Sequence, residues 1–381
     1  MKGHVAIIIP GLDRIGGAEQ QVILLAKGLL RRGWRVSVVM LSGNGGKAAA
    51  DLTAIGIECA CLGMRKGLAD PRGWIRFHQW LRRERPEVVH AHLPHAAWLA
   101  RWSRLLAPVR VLIDTLHSSS TGNLGRKLGY RWSRGLPDRV TAVSRAVAAA
   151  HASAGMVEES KIIVIPNGVD IENWRADVGV REMVRQESGF GNEFLWFAAG
   201  RLEKVKDYPT MLRAMAGLPE TSSLVIAGAG HEEGTLRRIC SELGLEQRVR
   251  FLGFESNVLR WMQAADGFVL SSRWEGLPMA LLEAAACALP AVATEVPGSR
   301  EVVLHGETGF LAAPGSSFAL QEAMARTMLM QAEGRRAMGE QARSNAVKCF
   351  SLEMMLDRWE ELYTSLLDRN PVPMRWGALK L

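Results

Sequence analysis

The most informative pattern in the chain is Ser271-Ser272-Arg273-Trp274-Glu275-Gly276-Leu277-Pro278-Met279-Ala280-Leu281-Leu282-Glu283. It follows a short apolar run, residues 267–270, that is typical of a buried strand, and Pro278 suits the first turn of a helix. We therefore expect Glu275 in the strand-to-helix loop and Glu283 on the helix. Ionised carboxylates only accept hydrogen bonds, so this pair can hold the hydroxyls of a polyhydroxylated ligand. The spacing also fits two unrelated residues, a Glu favoured near a helix start by the dipole and a solvated helical Glu.

The composition indicates a globular protein of two domains. A chain of 381 residues is long enough for two hydrophobic cores, and its hydrophobic fraction of 48% is ordinary. The apolar run at residues 5–9 is too short for a signal peptide, and no segment approaches the ~20 apolar residues of a transmembrane helix. The five cysteines are scattered, which indicates neither a disulfide framework nor a zinc site. The sequence therefore predicts a cytoplasmic protein.

The first half of the chain alternates strands and helices, as in a doubly wound parallel sheet. We expect strands at 87–91, 110–114 and 139–143 and helices at 71–83, 94–106 and 122–135. Near the N-terminus, Gly16-Gly17 lies between the first strand and a helix. A glycine turn at a helix N-terminus can bind an anion, and it can equally be a simple tight turn.

Histidines mark two of the predicted strand ends. His117 follows a strand, at the sheet edge where open α/β sheets bind their ligands, although a half-buried, hydrogen-bonded histidine is the alternative. His90, His92 and His95 cluster near another strand end. Their spacing allows a metal site, but loop histidines more often form ordinary hydrogen bonds.

The second half restarts the pattern with a strand, residues 193–199, that ends in Gly200-Arg201, and Lys206 follows in the loop. Fixed cations at a strand end can stabilise the charge that a departing diphosphate gains. Two basic residues in a loop can also be simply solvated.

The residues around Glu275 and Glu283 form the pattern Ser-Ser-x-x-Glu-Gly-Leu-Pro-x-x-x-x-x-Glu-Ala. It resembles the signature of the retaining, nucleotide-sugar-dependent glycosyltransferases of GT-B family 4 (glycosyl transferases group 1), a bacterial polysaccharide and lipid-linked glycan type. Residues 290–301 and 305–310 are similar to the rest of that family's C-terminal domain. One departure is Ala288, where the family usually carries Gly. The resemblance implies an α/β fold, GT-B, with two Rossmann-like doubly wound domains facing each other across a cleft.

The resemblance also implies the domain limits. An acceptor-side N-terminal domain would occupy residues 1–175 and a nucleotide-sugar donor domain residues 176–350. A C-terminal helix and tail, 351–381, would cross back to the first domain. The boundary follows residues 161–170, which resemble the family's hinge, and the polar, weakly patterned residues 171–192 indicate a linker.

Individual roles follow from the same resemblance. Arg201 and Lys206 would hold the donor diphosphate, Glu275 would orient the donor sugar and Glu283 would bind the ribose. The implied catalytic residues are His117, Arg201, Lys206 and Glu275. The implied donor-binding residues are Gly16 and Gly17 facing the phosphates, Phe254 in the loop under the base, Gly200, Gly276, Leu277, Pro278 and Glu283.

The implied reaction transfers a sugar from a nucleotide diphosphate donor to an acceptor hydroxyl with retention of configuration. The sequence contains no Asp-x-Asp pair, the usual metal–diphosphate ligand of the other large glycosyltransferase fold, so we expect neither a metal nor any cofactor beside the donor substrate. No residue is a clear carboxylate nucleophile for a double displacement. We therefore favour front-face transfer, in which the leaving phosphate takes the acceptor proton.

Two other classes of protein stay open. An NAD(P)-dependent oxidoreductase would share the doubly wound sheets, but the Gly-rich turn at residues 228–234 lacks a glycine that the dinucleotide fingerprint requires. A catalytically silent sugar-nucleotide-binding partner would keep the fold and lose the charges. The presence of Arg201, Lys206, Glu275 and Glu283 together argues against it.

The positive charge is unevenly distributed. Residues 1–180 carry 25 Lys and Arg against 14 Asp and Glu, a net +11, whereas residues 181–381 have a net charge of −3. Trp and Arg alternate in the stretches 74–104 and 126–134, a composition that suits an anionic membrane surface. Solvated helix faces and nucleic acid are the alternatives, and no nucleic-acid recognition motif accompanies the charge.

A membrane partner would bring these features together. We expect a lipid-linked or saccharide acceptor, and a peripheral location at the cytoplasmic face of the plasma membrane. The basic residues that we expect to face the lipid are Arg82, Arg83, Arg101 and Arg104.

Overall fold

The computed structural model describes residues 2–65, 70–107 and 109–369, which fold into two compact units. The first unit extends to Pro166 and resumes at Met355, and the second extends from Asn167 to Met354. The sequence prediction placed these boundaries at 175 and 350. The last part of the predicted tail, residues 370–381, lies outside the described residues.

The first unit is a parallel sheet with helices in the connections. Its strands are β1 (His4–Ile9), β2 (Arg35–Met40), β3 (Glu58–Cys61), β4 (Val88–His92), β5 (Val111–Leu116), β6 (Arg139–Ala142) and β7 (Ile162–Val164). Its helices up to Pro166 are α1 (Gly17–Arg31), α2 (Gly46–Ala54), α3 (Pro71–Glu84), α4 (Pro94–Ser103), α5 (Leu124–Ser133) and α6 (Arg145–Ser153). Over the described residues the strand order is β3-β2-β1-β4-β5-β6-β7.

The second unit repeats this architecture. Its strands are β8 (Phe194–Ala199), β9 (Ser222–Ala227), β10 (Val249–Gly253), β11 (Gly267–Leu270), β12 (Ala291–Thr294) and β13 (Gly309–Ala312). Its helices are α7 (Val178–Ser188), α8 (Tyr208–Ala216), α9 (Glu233–Glu242), α10 (Val258–Ala264), α11 (Met279–Ala286), α12 (Pro297–Arg300), α13 (Ser317–Leu329) and α14 (Ala332–Phe350). The strands are parallel in the order β10-β9-β8-β11-β12-β13.

The central strands of both sheets are buried on two faces, which explains why they are nearly continuous apolar runs. In each sheet the strand order reverses at the centre, between β1 and β4 in the first unit and between β8 and β11 in the second. Ligands of open α/β sheets bind beside such a reversal, at the carboxyl ends of the strands. The α/β prediction of two Rossmann-like domains is confirmed.

The predicted linker at residues 171–192 is wrong over half of its length, because Val178–Ser188 is helix α7 of the second unit. Asp177 caps this helix by accepting a hydrogen bond from the Val180 N–H. Arg181 and Arg185 both pair with Asp266, at 2.6 and 3.1 Å. The segment reads as polar because its arginines form these ion pairs, while Val184 is buried.

Helix α15 (Leu352–Arg369) returns to the first unit from Met355 onward. Its Glu360 carboxylate accepts hydrogen bonds from Lys2 and Trp34, both at 2.7 Å, and from Arg32 at 2.8 Å. Burial raises the pKa of Glu360, but these hydrogen bonds outweigh it and bring the pKa to about 2. The buried side chains of the helix are Leu352, Met355, Leu356, Trp359, Leu362, Tyr363 and Leu366.

Arg101 does not lie on a basic surface, which corrects the sequence expectation. Its side chain is fully buried and forms an ion pair with Asp114 on β5, which is also fully buried. Its guanidinium also donates to Ser133 Oγ at 3.0 Å and lies over the ring of Tyr130. The spacing of Arg101 on its helix is compatible with an exposed face. In the structure, however, the Arg101 side chain points into the unit, where it pairs with the buried Asp114 carboxylate.

Arg104 is also committed to a partner. It donates to both carboxylate oxygens of Asp138, at 2.7 and 3.0 Å. Arg82 and Arg83 are exposed, and Arg83 pairs with Glu84 at 2.6 Å. Across the described ranges, no helix combines the length and the apolar character needed to cross a membrane.

Candidate active site

Two loops at the centre of the second sheet carry most of the predicted site residues. Strands β8 and β11 pair in parallel, with Phe197 opposite Phe268. Their carboxyl ends therefore meet at the same edge. Arg201 and Lys206 follow β8, and Glu275 follows β11, so the structure brings together residues that are about seventy positions apart in sequence.

Lys206 and Glu275 are in direct contact. The Lys206 ammonium donates to Glu275 Oε1 at 2.6 Å, and the Ser272 hydroxyl donates to the same oxygen at 2.6 Å. Both charged side chains are largely shielded, at 18% and 12% exposure. In the part of the chain that the structure describes, Glu275 Oε2 has no hydrogen-bond partner, so it is available to a ligand hydroxyl.

Arg201 differs from Lys206. Its side chain is exposed, and it forms no ion pair or hydrogen bond with any described residue. A largely shielded cation paired with a carboxylate and an exposed, uncompensated cation thus both follow the end of β8. This arrangement suits an anion that arrives with the ligand.

Three contacts tie the two loops together. The Ser271 hydroxyl and the Arg273 N–H donate to the carbonyls of Lys206 and Val205, both at 2.8 Å. The Arg273 side chain pairs with Asp207 at 3.3 Å. These bonds fix the positions of Lys206 and Glu275 relative to each other.

Glycines allow the first loop to pack closely against the turn after β9. Gly200 and Gly228 have φ values of 153° and 156°. A Cβ on Gly228 would overlap the Gly200 carbonyl, and one on Gly230 would overlap the Leu202 carbonyl. Gly228 and Gly230 therefore allow the two loop backbones to approach closely, which explains why this turn matches a dinucleotide fingerprint only in part.

Tyr208 is a positioning residue that the sequence reasoning missed. Its hydroxyl donates to the Gly200 carbonyl at 3.0 Å. Burial, together with the nearby Glu275 charge, raises the pKa of Tyr208. The sequence indicates only a helix start at this tyrosine, and it gives no signal of the contact with Gly200, which depends on the tertiary path of the loop.

The helix after Glu275 places the second carboxylate as predicted. Pro278 is the N-cap of α11, and Glu283 lies within that helix at 7% exposure. The solvated helical Glu considered from the sequence is therefore wrong. Gly276, Leu277 and Pro278 are buried, and the Leu277 carbonyl accepts a hydrogen bond from the Asn167 side chain at 3.4 Å.

Gly298 supports the same loop and was also missed. A Cβ at this position would lie 2.7 Å from the carbonyl oxygens of Glu275 and Gly276. Only glycine lets α12 pack this closely against the loop. Phe254, in the loop after β10, is 79% exposed, so its ring is open to a planar partner.

In the first unit, Gly16 and Gly17 lie at the N-terminus of α1. Gly16 is the N-cap, and its N–H donates to the Glu19 carboxylate at 3.0 Å. In this structure the Gly16 amide is therefore engaged by Glu19, while Gly17 is exposed.

His117, just after β5, contacts His92 at the end of β4. His92 Nδ1 and His117 Nε2 are 2.9 Å apart. Burial lowers the pKa of both rings, to about 4 for His117, so both are neutral near pH 7. His95 is exposed in the first turn of α4. Over the described ranges, no group of three or more His, Cys, Asp or Glu side chains is arranged to hold a metal ion.

Comparison with known proteins agrees with this geometry. Two family models match most of the chain between them: Glycosyltransferase Family 4 over residues 15–173 and Glycosyl transferases group 1 over residues 180–345. The N-acetyl-alpha-D-glucosaminyl L-malate synthase of Bacillus anthracis is 29% identical over 308 residues, which are 76% of this chain and 77% of that protein.

Two further proteins extend the comparison. The UDP-Gal:alpha-D-GlcNAc-diphosphoundecaprenol alpha-1,3-galactosyltransferase of Escherichia coli is 26% identical over 316 residues, 79% of this chain and 81% of that protein. The crystal structure of Anabaena HepE in complex with UDP-glucose has the same fold, with a TM-score of 0.85 at 24% identity over 95% of this chain and 100% of that chain. The chain therefore belongs to glycosyltransferase family 4, and it is a glycosyltransferase with the GT-B fold.

Proposed function

We propose that the enzyme transfers a sugar from a nucleoside diphosphate sugar to an acceptor hydroxyl, with retention of configuration and without a metal ion. The observation that carries the proposal is the charge arrangement at the ends of β8 and β11. The uncompensated cation Arg201 and the paired Lys206 and Glu275 lie where an open α/β sheet binds its ligand.

The two cations suit a diphosphate leaving group. The diphosphate gains negative charge as the bond to the sugar breaks, and fixed cations in a partly shielded site stabilise that charge without reorganisation. Lys206 is already held by Glu275, so its position before donor binding is defined. These protein cations supply the charge that a metal bridge would otherwise supply.

The remaining site residues suit the other parts of the donor. Glu275 Oε2 would accept a hydrogen bond from a sugar hydroxyl, and Glu283 would bind the ribose. Phe254 would lie against the base. Gly16, Gly17 and His117 would contribute from the first unit, to the phosphates and the sugar respectively.

Retention without a nucleophile of the protein is the second element of the proposal. Glu275 Oε1 accepts hydrogen bonds from both Lys206 and Ser272, which suits orientation of the sugar better than attack on it. The leaving phosphate oxygen would take the acceptor proton as the new glycosidic bond forms on the face that the phosphate leaves.

A screen of sugar nucleotides tests this reaction. Purified enzyme is incubated with UDP-, GDP- and ADP-sugars, and hydrolysis or transfer is followed with and without excess chelator. We expect release of one nucleoside diphosphate, unaffected by chelation, and a product whose anomeric configuration by NMR equals that of the donor. Inversion, or loss of turnover on chelation that Mg²⁺ or Mn²⁺ restores, would contradict the proposed mechanism.

We propose that the acceptor is lipid-linked and lies at an anionic membrane surface. Helix α5 exposes Leu124, Leu128 and Trp132, by 71%, 37% and 77%, at a spacing of four residues that places them on one stripe. The buried residues of the helix, Gly129, Tyr130 and Ser133, lie on the opposite side. This stripe is the α5 apolar stripe.

Basic residues accompany the α5 apolar stripe. Lys127 and Arg131 lie beside it on the helix, and the first half of the chain has a net charge of +11. An apolar stripe next to basic residues is the arrangement by which helices bind anionic lipid surfaces. Arg101 and Arg104 do not contribute, because Asp114 and Asp138 hold them.

Vesicle flotation tests the membrane proposal. We expect binding to vesicles rich in anionic lipid, weakening with salt, and lost when Leu124, Leu128 and Trp132 are replaced by Ser. Leu329→Ser is the matched control, because Leu329 is 84% exposed on a helix of the second unit. Equal binding to neutral and anionic vesicles, or none to either, would favour a small soluble acceptor, as the name of the malate synthase relative suggests for that protein.

A further inference from the structure

A connected set of neutral side chains lies behind His117 in the first unit. Tyr363 of α15, His90 of β4, Thr115 of β5 and Thr141 of β6 form one row of hydrogen bonds, and all are buried. The ring of His90 also packs on the ring of His92, with centroids 4.1 Å apart. Through this ring contact, the hydrogen-bonded row fixes the position of the His92 ring.

The proton positions along this row are determined by its last acceptor. Thr141 donates to the Asp114 carbonyl at 3.2 Å, which only accepts, so Thr115 must donate to Thr141 at 2.7 Å. Thr115 then accepts from His90 Nε2 at 2.6 Å. His90 Nδ1 is left bare and accepts from the Tyr363 hydroxyl at 2.7 Å.

The contact between His92 and His117 has two possible proton arrangements. If His117 Nε2 donated, the proton of neutral His92 would lie on its Nε2, which is buried without a partner among the described residues. If His92 Nδ1 donates, that buried Nε2 is a bare lone pair instead. An orphaned buried N–H is rarer and costlier than an unused acceptor, so His92 is the donor.

The proton of His117 is then on Nδ1. Within the described residues this nitrogen has no hydrogen-bond partner, and it is not among the atoms that are buried without one. Leu93, directly after His92, has a φ of 70°, a left-handed value that branched residues seldom adopt and that the surrounding structure must hold. The backbone is thus held in a rare conformation beside the residue that fixes His117.

We propose that His92 is a positioning residue that holds His117 in the tautomer with Nδ1 protonated, so that His117 presents a hydrogen-bond donor to an oxygen of the donor sugar. The second part rests on the proposed function, in which His117 contacts that sugar. His117 then acts as a neutral donor and takes no proton during transfer.

Two substitutions of His92 separate positioning from packing. In His92→Asn the side-chain amide N–H replaces Nδ1–H, whereas His92→Phe keeps a ring and removes the donor. His95→Phe is the matched control, since His95 is exposed in the adjacent helix. Histidine-labelled ¹⁵N NMR of the full chain distinguishes protonated from bare ring nitrogens, and the His117 signals are assigned by their loss in His117→Gln.

We expect His117 to be protonated at Nδ1 in the wild type and in His92→Asn, and to become a mixture of tautomers in His92→Phe. The kcat/KM for the sugar nucleotide should fall about 3- to 10-fold in His92→Phe and recover in His92→Asn, the effect of one hydrogen bond. Should His92→Phe not fold, His92→Gln, which places its amide elsewhere, gives the same comparison.

Protonation of His117 at Nε2 in the wild type would overturn the assignment. A tautomer change in His92→Phe with unchanged kinetics would overturn the positioning role. The NMR measurement requires no substrate, so its failure is distinct from failure of the proposed reaction, which would appear as a wild-type enzyme with the expected tautomer and no transfer from any sugar nucleotide.

Discussion

The two units have sheets with the same order of central strands but use charge in opposite ways. In the second unit, cations and a carboxylate lie at the carboxyl ends of the central strands, and Arg201 has no counter-ion among the described residues. In the first unit, the equivalent edge carries neutral histidines, and the ion pair of Arg101 with Asp114 is fully buried.

This difference teaches that the same fold can separate two tasks. The charged edge of the second unit suits a group whose charge grows during the reaction. The neutral edge of the first unit suits recognition of hydroxyls, where geometry and proton position matter more than charge. Net charge alone concealed this, because the first half of the chain is the basic one.

Breaking the buried ion pair should have the largest effect. Arg101→Met leaves Asp114 as a buried carboxylate without a cation, and we expect a loss of about 3–5 kcal/mol in the free energy of unfolding. Arg104→Met is the control, because Asp138 stays partly exposed. Urea unfolding followed by circular dichroism measures both, and equal losses would show that burial of the first pair is unimportant.

Removing either cation of the second unit should come next. For Arg201→Ala and Lys206→Ala we expect kcat to fall by roughly 10²–10³, because the missing charge matters most as the diphosphate leaves. Lys204→Ala is the matched control, since Lys204 is exposed and lies in the same short helical turn as Lys206. An effect confined to KM would show that the cation binds ground and transition states alike.

The neutral histidines should make the first unit sensitive to acid. The histidines with lowered pKa among the described residues all lie there: His4, His78, His90, His92, His117 and His151. Below pH 6.5 the histidines of the unfolded chain become protonated, whereas the same rings in the folded unit stay neutral. Their full contribution to the free energy of unfolding is therefore present above pH 6.5 and decreases as the pH falls. For His117, with a pKa of about 4, the loss between pH 6.5 and 4 is about 3 kcal/mol.

Hydrogen exchange at pH 7 and pH 5 checks this difference between units. The pKa values of His90 and His92 are lowered first by burial and then by charge repulsion from the neighbouring histidines. The Tyr363 hydroxyl, which is neutral, bonds His90 and adds no charge. Amides of β4 and β5 should lose protection on acidification before those of β8 and β11. Equal loss in both units would contradict the assignment.

The smallest expected change concerns the residue just after the C-terminus of α11, the helix that carries Glu283. Ala288, where the resemblance expects glycine, has a φ of 55°, so its Cβ is strained. Ala288→Gly should stabilise the second unit by up to about 1 kcal/mol, or ~2–4 °C in Tm, with kcat unchanged. Ala285→Gly, within the helix, should instead destabilise by a similar amount, and Tm measurements that rank the two in the other order would refute the strain.

The sequence was sufficient for the architecture because strand periodicity and glycine turns are local. Residues 87–91 and 110–114 were predicted as strands and are β4 and β5 within one or two positions. The exception is Val178–Ser188, whose arginines resemble a solvated linker until Asp266 is brought opposite them.

The site was predicted only in part. Arg201, Lys206, Glu275 and Glu283 carry a local motif, and strand adjacency then places the first three together. Tyr208 depends on the path of a loop between sheet and helix, and no spacing rule encodes that path. Arg101 was misplaced for the same reason, since the helix pattern contains no information about Asp114 on another strand.

The return of α15 to the first unit has a consequence for synthesis of the protein. Glu360 and Tyr363 belong to the part of the first unit that resumes at Met355, whereas the earlier part of that unit ends at Pro166. The ribosome must therefore make the entire second unit first, which at 5–20 residues per second is a delay of roughly 10–40 s. During that delay the surface around His90 that α15 will cover is open to water and to chaperones. A chimaera that exchanges the first unit between relatives must likewise carry two separate gene segments, one for each part of that unit.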